Sequence, residues 1–113
     1  MTIDQGFIKR RYERIDTRLP ARVATTFARY NGSILNVSSG GCLIEGPIRA
    51  RVGQIFAVGF PKLATWEIFR CKIMWTAPKG ETVQYGNTFL TVDETAKRLL
   101  MLSLIEAAGV DLP

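Results

Sequence analysis

Residues 18–27 read "RLPARVATTF". Leu19, Ala21, Val23 and Phe27 alternate with Arg18, Arg22 and Thr26, which is the period-two pattern of a half-buried strand. The same pattern recurs downstream. "YNGS" at 30–33 supplies an Asn-Gly hairpin turn, and "SILNV" at 33–37 reads as the next strand. "SSGG" at 38–41 interrupts it, "CLIE" at 42–45 is a short third strand, and "GP" at 46–47 closes that one. "QIFAVGF" at 54–60 is almost wholly apolar and should end at Pro61. In "EIFRCKIMW" at 67–75, Phe69, Cys71, Ile73 and Trp75 share one face, with Arg70 and Lys72 on the other. "PKG" at 78–80 is a turn, and "TVQYGNTFL" at 82–90 sets Val83, Tyr85 and Phe89 together. Six strands with turn signals between most of them predict a small antiparallel barrel or sandwich.

The period changes after residue 90. "TVDE", Thr91 to Glu94, fits the capping-box pattern, and Glu94 and Arg98 are spaced for an i,i+4 ion pair. Val92, Ala96, Leu99, Leu100, Ser103, Leu104 and Ala107 form the expected inward face of a closing helix, with Gly109 as its C-cap. Met101, Leu102 and Ile105 extend the apolar surface, either over more of the barrel or toward a partner chain.

At 113 residues the chain suits one domain with one core. The net charge is +5 and is concentrated at the entry to the fold. Lys9, Arg10, Arg11, Arg14, Arg18 and Arg22, against Glu13 and Asp16, give residues 9–22 a charge of +4. The remainder is close to neutral, so the field is local and the expected anionic partner is small or local. A nucleic-acid binder would want a basic face across the fold with aromatics exposed on it. Arg70 and Lys72 lie opposite Phe69, Ile73 and Trp75 instead, so nucleic acid is not the expected partner.

Histidine, the commonest general base and metal ligand, is absent from the sequence. There is no HExxH, Walker A loop or dinucleotide fingerprint, so neither an enzyme nor a metal protein is expected. Cys42 and Cys71 have no CxxC spacing and read as small buried hydrophobes in a reducing compartment. "MTIDQGFIKRR" has no apolar signal-peptide region, and no apolar run is long enough to span a membrane. A soluble cytoplasmic protein, monomeric or weakly dimeric, is the expectation.

Two short patterns carry chemistry. Arg10-Arg11-Tyr12-Glu13-Arg14 contains R-x-x-x-R just before the first strand. Asn36-Val37-Ser38-Ser39-Gly40-Gly41 is N-x-S-x-x-G, placed where the second strand ends. Alone, the first could be a solvated basic tail and the second a simple turn. Arginines four apart can pair with phosphate, fork onto the O6 and N7 of guanine, or stack on a purine face. Asn36 offers both an acceptor and a donor, Ser38 a short hydroxyl, and Gly41 a backbone that approaches closely.

The two motifs, followed by strands and one terminal helix, resemble the PilZ domain family of bacterial cyclic di-GMP receptors. "RRYERIDTRLPARV" resembles that family's opening, and "CKIMW" with "YGNTFL" its last two strands. The resemblance implies an all-β fold with a C-terminal helix, namely a six-stranded antiparallel split β-barrel capped by one α-helix. It implies one domain over 1–113, divided into a flexible basic arm at 1–14, the barrel at 18–90 and the helix at 92–108. It implies a cyclic di-GMP site at Arg10, Arg14, Asn36, Ser38 and Gly41, with Lys9, Arg11 and Gly40 as secondary candidates. The arginines would take guanine and phosphate, Asn36 and Ser38 the guanine edge, and Gly41 the shape of the loop. Lys9 is compatible with either one nucleotide or a stacked pair. The implied role is a second-messenger sensor whose arm folds over the ligand and signals to a downstream protein, in motility or exopolysaccharide regulation. A PilZ-like adaptor that binds no nucleotide is the alternative.

Overall fold

The computed structural model describes residues 14–38, 40–47, 50–62, 65–90 and 93–109. They form six strands and one helix: β1 (Ile15–Ala24), β2 (Arg29–Val37), β3 (Gly41–Gly46), β4 (Ile55–Lys62), β5 (Thr65–Lys79), β6 (Thr82–Phe89) and α1 (Glu94–Ala107). The strands close into a barrel in the order β1-β2-β3-β6-β5-β4, with every pair antiparallel. Closure gives each of the described strands two neighbours, although β1 meets β4 only over Arg22–Ala24.

The inward set follows the alternation in sequence. Leu19, Ala21 and Val23 of β1, Phe56, Val58 and Phe60 of β4, and Phe69, Cys71 and Ile73 of β5 are buried together. Tyr85 and Phe89 of β6 complete the aromatic part, with Phe69 edge-on to Phe89 and Phe56 edge-on to Tyr85. Helix α1 lies mainly over β4 and reaches β1 and β2. Lys62 ties helix to barrel by donating to Ser103 Oγ at 3.3 Å while pairing with Glu67 at 3.3 Å.

Several local expectations are corrected. Phe27 is 96% exposed rather than inward, because β1 ends at Ala24. The chain turns at 25–28, where the Thr25 N–H donates to the Ala28 carbonyl and Thr25 Oγ1 accepts from the Ala28 N–H. Asn31 and Gly32 are therefore not the hairpin turn. They lie within β2, opposite Arg22 and Ala21, where a Cβ on Gly32 would stand 2.8 Å from the Glu45 carbonyl oxygen. Close approach, not turn chemistry, explains this glycine. Strand β4 also runs through Pro61, which pairs with Trp66.

The helix is capped by Asp93, whose carboxylate accepts from the Thr95 N–H at 3.0 Å. Thr91 and Val92 lie outside the described residues, and the acidic partner of the first turn pairs Glu94 with Lys97 rather than Arg98. The buried helical residues are Met101, Leu104 and Ile105, so the inward face is rotated from the expected one and Leu99 is exposed. Gly109 follows the helix with a φ of 71°, as the C-cap reading requires.

Candidate functional site

The ladders shift register at three places: between Asp16 and Leu19 on β1, between Ile34 and Asn36 on β2, and between Ile73 and Trp75 on β5. Such irregularities bend a strand and re-aim its side chains. All three flank one open cavity of about 350 Å³. Arg14, Asn36, Ser38, Gly40 and Gly41 line it, together with Cys42, Leu43, Met74, Trp75, Gly86 and Asn87. Five of the residues singled out from sequence are thus brought to one depression. Lys9, Arg10 and Arg11 lie outside the described residues.

The floor is built by the β2–β3 connection. The Ser38 N–H donates to the Gly41 carbonyl at 2.8 Å, and Ser38 Oγ donates to the same oxygen at 3.2 Å. The Gly40 carbonyl accepts from the Phe89 N–H at 2.9 Å and from Thr88 Oγ1 at 3.1 Å, which fastens the loop to β6. Gly41 is not among the positive-φ glycines, so its role differs from a sharp turn. A Cβ there would collide with the Asn87 carbonyl oxygen. The glycine lets β3 and β6 pack, and only then does the cavity have its floor.

Asn36 is half-buried on β2 between Asp16 and Leu43. Its side-chain amide makes no hydrogen bond among the described residues. Arg14 is exposed immediately before β1 and forms no ion pair among the described residues. Arg14 and Asn36 thus carry donors with no side-chain hydrogen-bond partner among the described residues. Asn87 is different: it is only 7% exposed, and its Nδ2 donates to the Cys42 and Tyr85 carbonyls at 3.2 and 3.0 Å. It braces the β3–β6 wall from inside.

Trp75 is the functional candidate that the alternation pattern misplaced. The β5 irregularity turns it outward, 48% exposed, opposite Gly86. A Cβ on Gly86 would run into the indole, so the ring lies directly over this bare backbone. An exposed aromatic face held flat beside an arginine, an asparagine and a serine is a stacking platform for a planar ring. The signal was present in the β5–β6 hairpin: counting back from the turn at Gly80 pairs Trp75 with Gly86 and not with an inward residue.

Against this geometry, a family model described as PilZ domain matches residues 8–106. The chain belongs to the PilZ domain family. Its fold is also that of solved structures. The PilZ domain with c-di-GMP of YcgR from Escherichia coli aligns with a TM-score of 0.68 and 17% identity, covering 89% of this chain and 92% of that one. The Bacillus subtilis inhibitor of motility MotI/DgrA aligns with a TM-score of 0.62 and 14% identity over 84% of this chain. The alignment covers 49% of that structure, so the PilZ domain here spans about half the length of MotI. A search of curated proteins gave no match. The six-stranded barrel with one C-terminal helix is thus a PilZ fold in both sequence and structure.

Proposed function

We propose that this PilZ domain binds cyclic di-GMP in the cavity between Arg14, Asn36, Ser38, Gly41 and Trp75. One observation carries the reading: the two motif regions, 22 residues apart in sequence, line the same depression. Its volume, about 350 Å³, falls in the range of small-molecule sites. The likeness to the YcgR domain, solved with c-di-GMP, supports the same ligand class.

The chemistry is complementary. Arg14 presents a planar cation to phosphate or to the O6 and N7 of guanine. Asn36 presents both an acceptor and donors to the mixed edge that carries guanine N1–H and N2–H₂. Ser38 keeps its hydroxyl at the same rim, and Trp75 takes a base on its open face. Arg10 is assigned to the second guanine or phosphate, with Lys9 and Arg11 in support. Residues 1–14 then close over the nucleotide, and the altered surface is read by a downstream protein. MotI, an inhibitor of motility, makes motility machinery the first class of partner to test.

Calorimetric titration of the protein with cyclic di-GMP tests both the ligand and its stoichiometry, with GMP as the control. A charge-assisted contact is worth about 1.5–3 kcal/mol, so Arg14→Ala should weaken binding at least about tenfold. Arg22→Ala, on β1 but outside the cavity, should bind as the parent does. Absence of heat with the parent, or equal binding by Arg14→Ala, overturns the assignment.

A further inference from the structure

A second depression, of about 290 Å³, lies on the outer barrel wall away from the cavity. Arg22, Val23, Ala24, Arg29, Ala57, Gly59, Trp66 and Ile68 line it. The strand register explains its shape. One row across the sheet reads Arg29, Ala24, Ala57, Arg70, and the next reads Arg22, Gly59, Ile68. The small residues form a floor, with arginine heads at its margins. Trp66, 47% exposed, and Ile68, 73% exposed, form an apolar wall.

The cations on this face have no carboxylate partner among the described residues. The Arg22 guanidinium sits over the Trp66 ring, 4.8 Å from its centroid, and is held by that contact rather than by a carboxylate. Neither Arg22 nor Arg29 forms an ion pair among the described residues. Glu67, although between Trp66 and Ile68 in sequence, is turned to the other face and pairs with Lys62. Arg70 and Lys72 continue the positive field along β5 and are exposed.

We propose that this groove docks an extended acidic segment of another protein. An apolar side chain of that segment seats over Ala57 and Gly59 against Trp66 and Ile68. Acidic side chains two residues before and after it reach the flanking arginines. The spacing fits: Arg29 and Arg70 are separated by three strand intervals, about 14 Å, and the first and last of five extended residues are about 13 Å apart. Residues two apart on an extended segment also share one face. Burial of an aromatic-lined pocket rimmed by arginines is the composition of an interaction hot spot. The proposal does not depend on the nucleotide reading.

Selection of a random short-peptide display library on the intact protein tests it. Enriched peptides should carry one apolar or aromatic residue with Asp or Glu two positions to either side. A synthetic peptide of that kind should bind saturably, and Trp66→Ala and Arg22→Glu should each weaken it at least about tenfold. The Arg29→Glu, Arg70→Glu double variant, which reverses both ends of that span of about 14 Å, should prefer the same peptide with lysines in place of the acids, a gain that misfolding cannot produce. No enrichment, enrichment without acidic residues, or binding indifferent to Arg22→Glu overturns the proposal. So does a concentration-dependent dimer lost in Trp66→Ala, which would make a second copy the occupant. Saturable binding of a thymidine oligonucleotide lost in the same variant would likewise replace the peptide with nucleic acid.

Discussion

The barrel wall carries two depressions built from the same parts. Each has a tryptophan from β5, about half exposed, set beside a glycine of a neighbouring strand, with an arginine of the β1 region alongside. They sit toward opposite ends of β5, and their chemistry diverges. Around Trp75, Asn36, with no side-chain hydrogen bond among the described residues, and Ser38, whose hydroxyl donates to the Gly41 carbonyl and can still accept, line a cavity beside the register shifts. Around Trp66 the ladder is regular, the floor is Ala and Gly, and the charged side chains among the described lining residues are the cations Arg22 and Arg29. An aromatic and an arginine do not define a ligand. The neutral polar groups between them do, because they alone can read a donor and acceptor pattern.

The largest effect erases the comparison. Both depressions are outer faces of one closed barrel, so a load on its interior removes both. Burial pushes the Cys42 thiol up from 9.0 to about 12, opposed by the neighbouring Asn87 side chain. Burial also raises Cys71 and then Tyr85, with the neighbouring thiolate charges adding to the rise. Below about pH 9 these groups are protonated in both folded and unfolded chains, and stability is complete. Above it the unfolded chain releases protons that the folded chain holds, so stability falls as pH rises toward 12. Each such group contributes a slope of about 1.4 kcal/mol per pH unit. Urea titrations between pH 7 and 11 should show a flat region and then a steep loss. The two depressions should unfold at one midpoint, followed by the fluorescence of variants that retain only Trp66 or only Trp75.

A smaller perturbation separates the two regions. Gly41→Ala forces a methyl group into the Asn87 carbonyl, backbone against backbone. The β3–β6 ladder must shift, at a cost of about 3 kcal/mol or more. The polar cavity loses its floor, while the Trp66 groove, on β1, β4 and β5, keeps its register. Gly40→Ala, one residue earlier, meets nothing within 4 Å and should change stability by less than about 0.5 kcal/mol. Denaturation midpoints of the two variants test this, and equal midpoints would show that the wall can yield.

What the sequence disclosed follows the same division. Alternation, or an apolar run bounded by turn signals, marked all six strands and the period change marked the helix, because burial constrains composition locally. The N-x-S-x-x-G run was legible as a unit because Asn36, Ser38 and Gly41 lie close together in sequence at the β2–β3 junction that lines the cavity. Trp75, Met74, Gly86 and Asn87 were not, since they reach the cavity from β5 and β6 through strand pairing. Trp75 was assigned inward because an alternation count cannot see an added residue in the ladder. Phe27 and the Asn31-Gly32 pair failed for a related reason: hydrogen bonds between Thr25 and Ala28 turn the chain earlier, and Gly32 answers to the Glu45 carbonyl of β3, a contact made only through strand pairing. Helix α1 was rotated because its apolar residues exceed one stripe, and packing on β4, β1 and β2 determines which of them it covers.

The smallest perturbation tests the tryptophan platforms themselves. At Gly86 a methyl group has no room beneath the Trp75 indole, whereas at Gly59 it would meet Trp66 Cε3 at 3.5 Å, an ordinary contact. An exposed indole can swing aside, so Gly86→Ala should cost about 1 kcal/mol or less in stability. It should nevertheless move Trp75 off the cavity wall, shift its emission and reduce cyclic di-GMP affinity several-fold, by up to the worth of one stacked base, about 1–3 kcal/mol. Gly59→Ala should leave the emission of Trp66, the stability and the nucleotide affinity unchanged. If Gly86→Ala moved the fluorescence without touching the affinity, Trp75 would be a wall and not a platform, and nucleotide recognition would rest on Arg14, Asn36 and Ser38 alone.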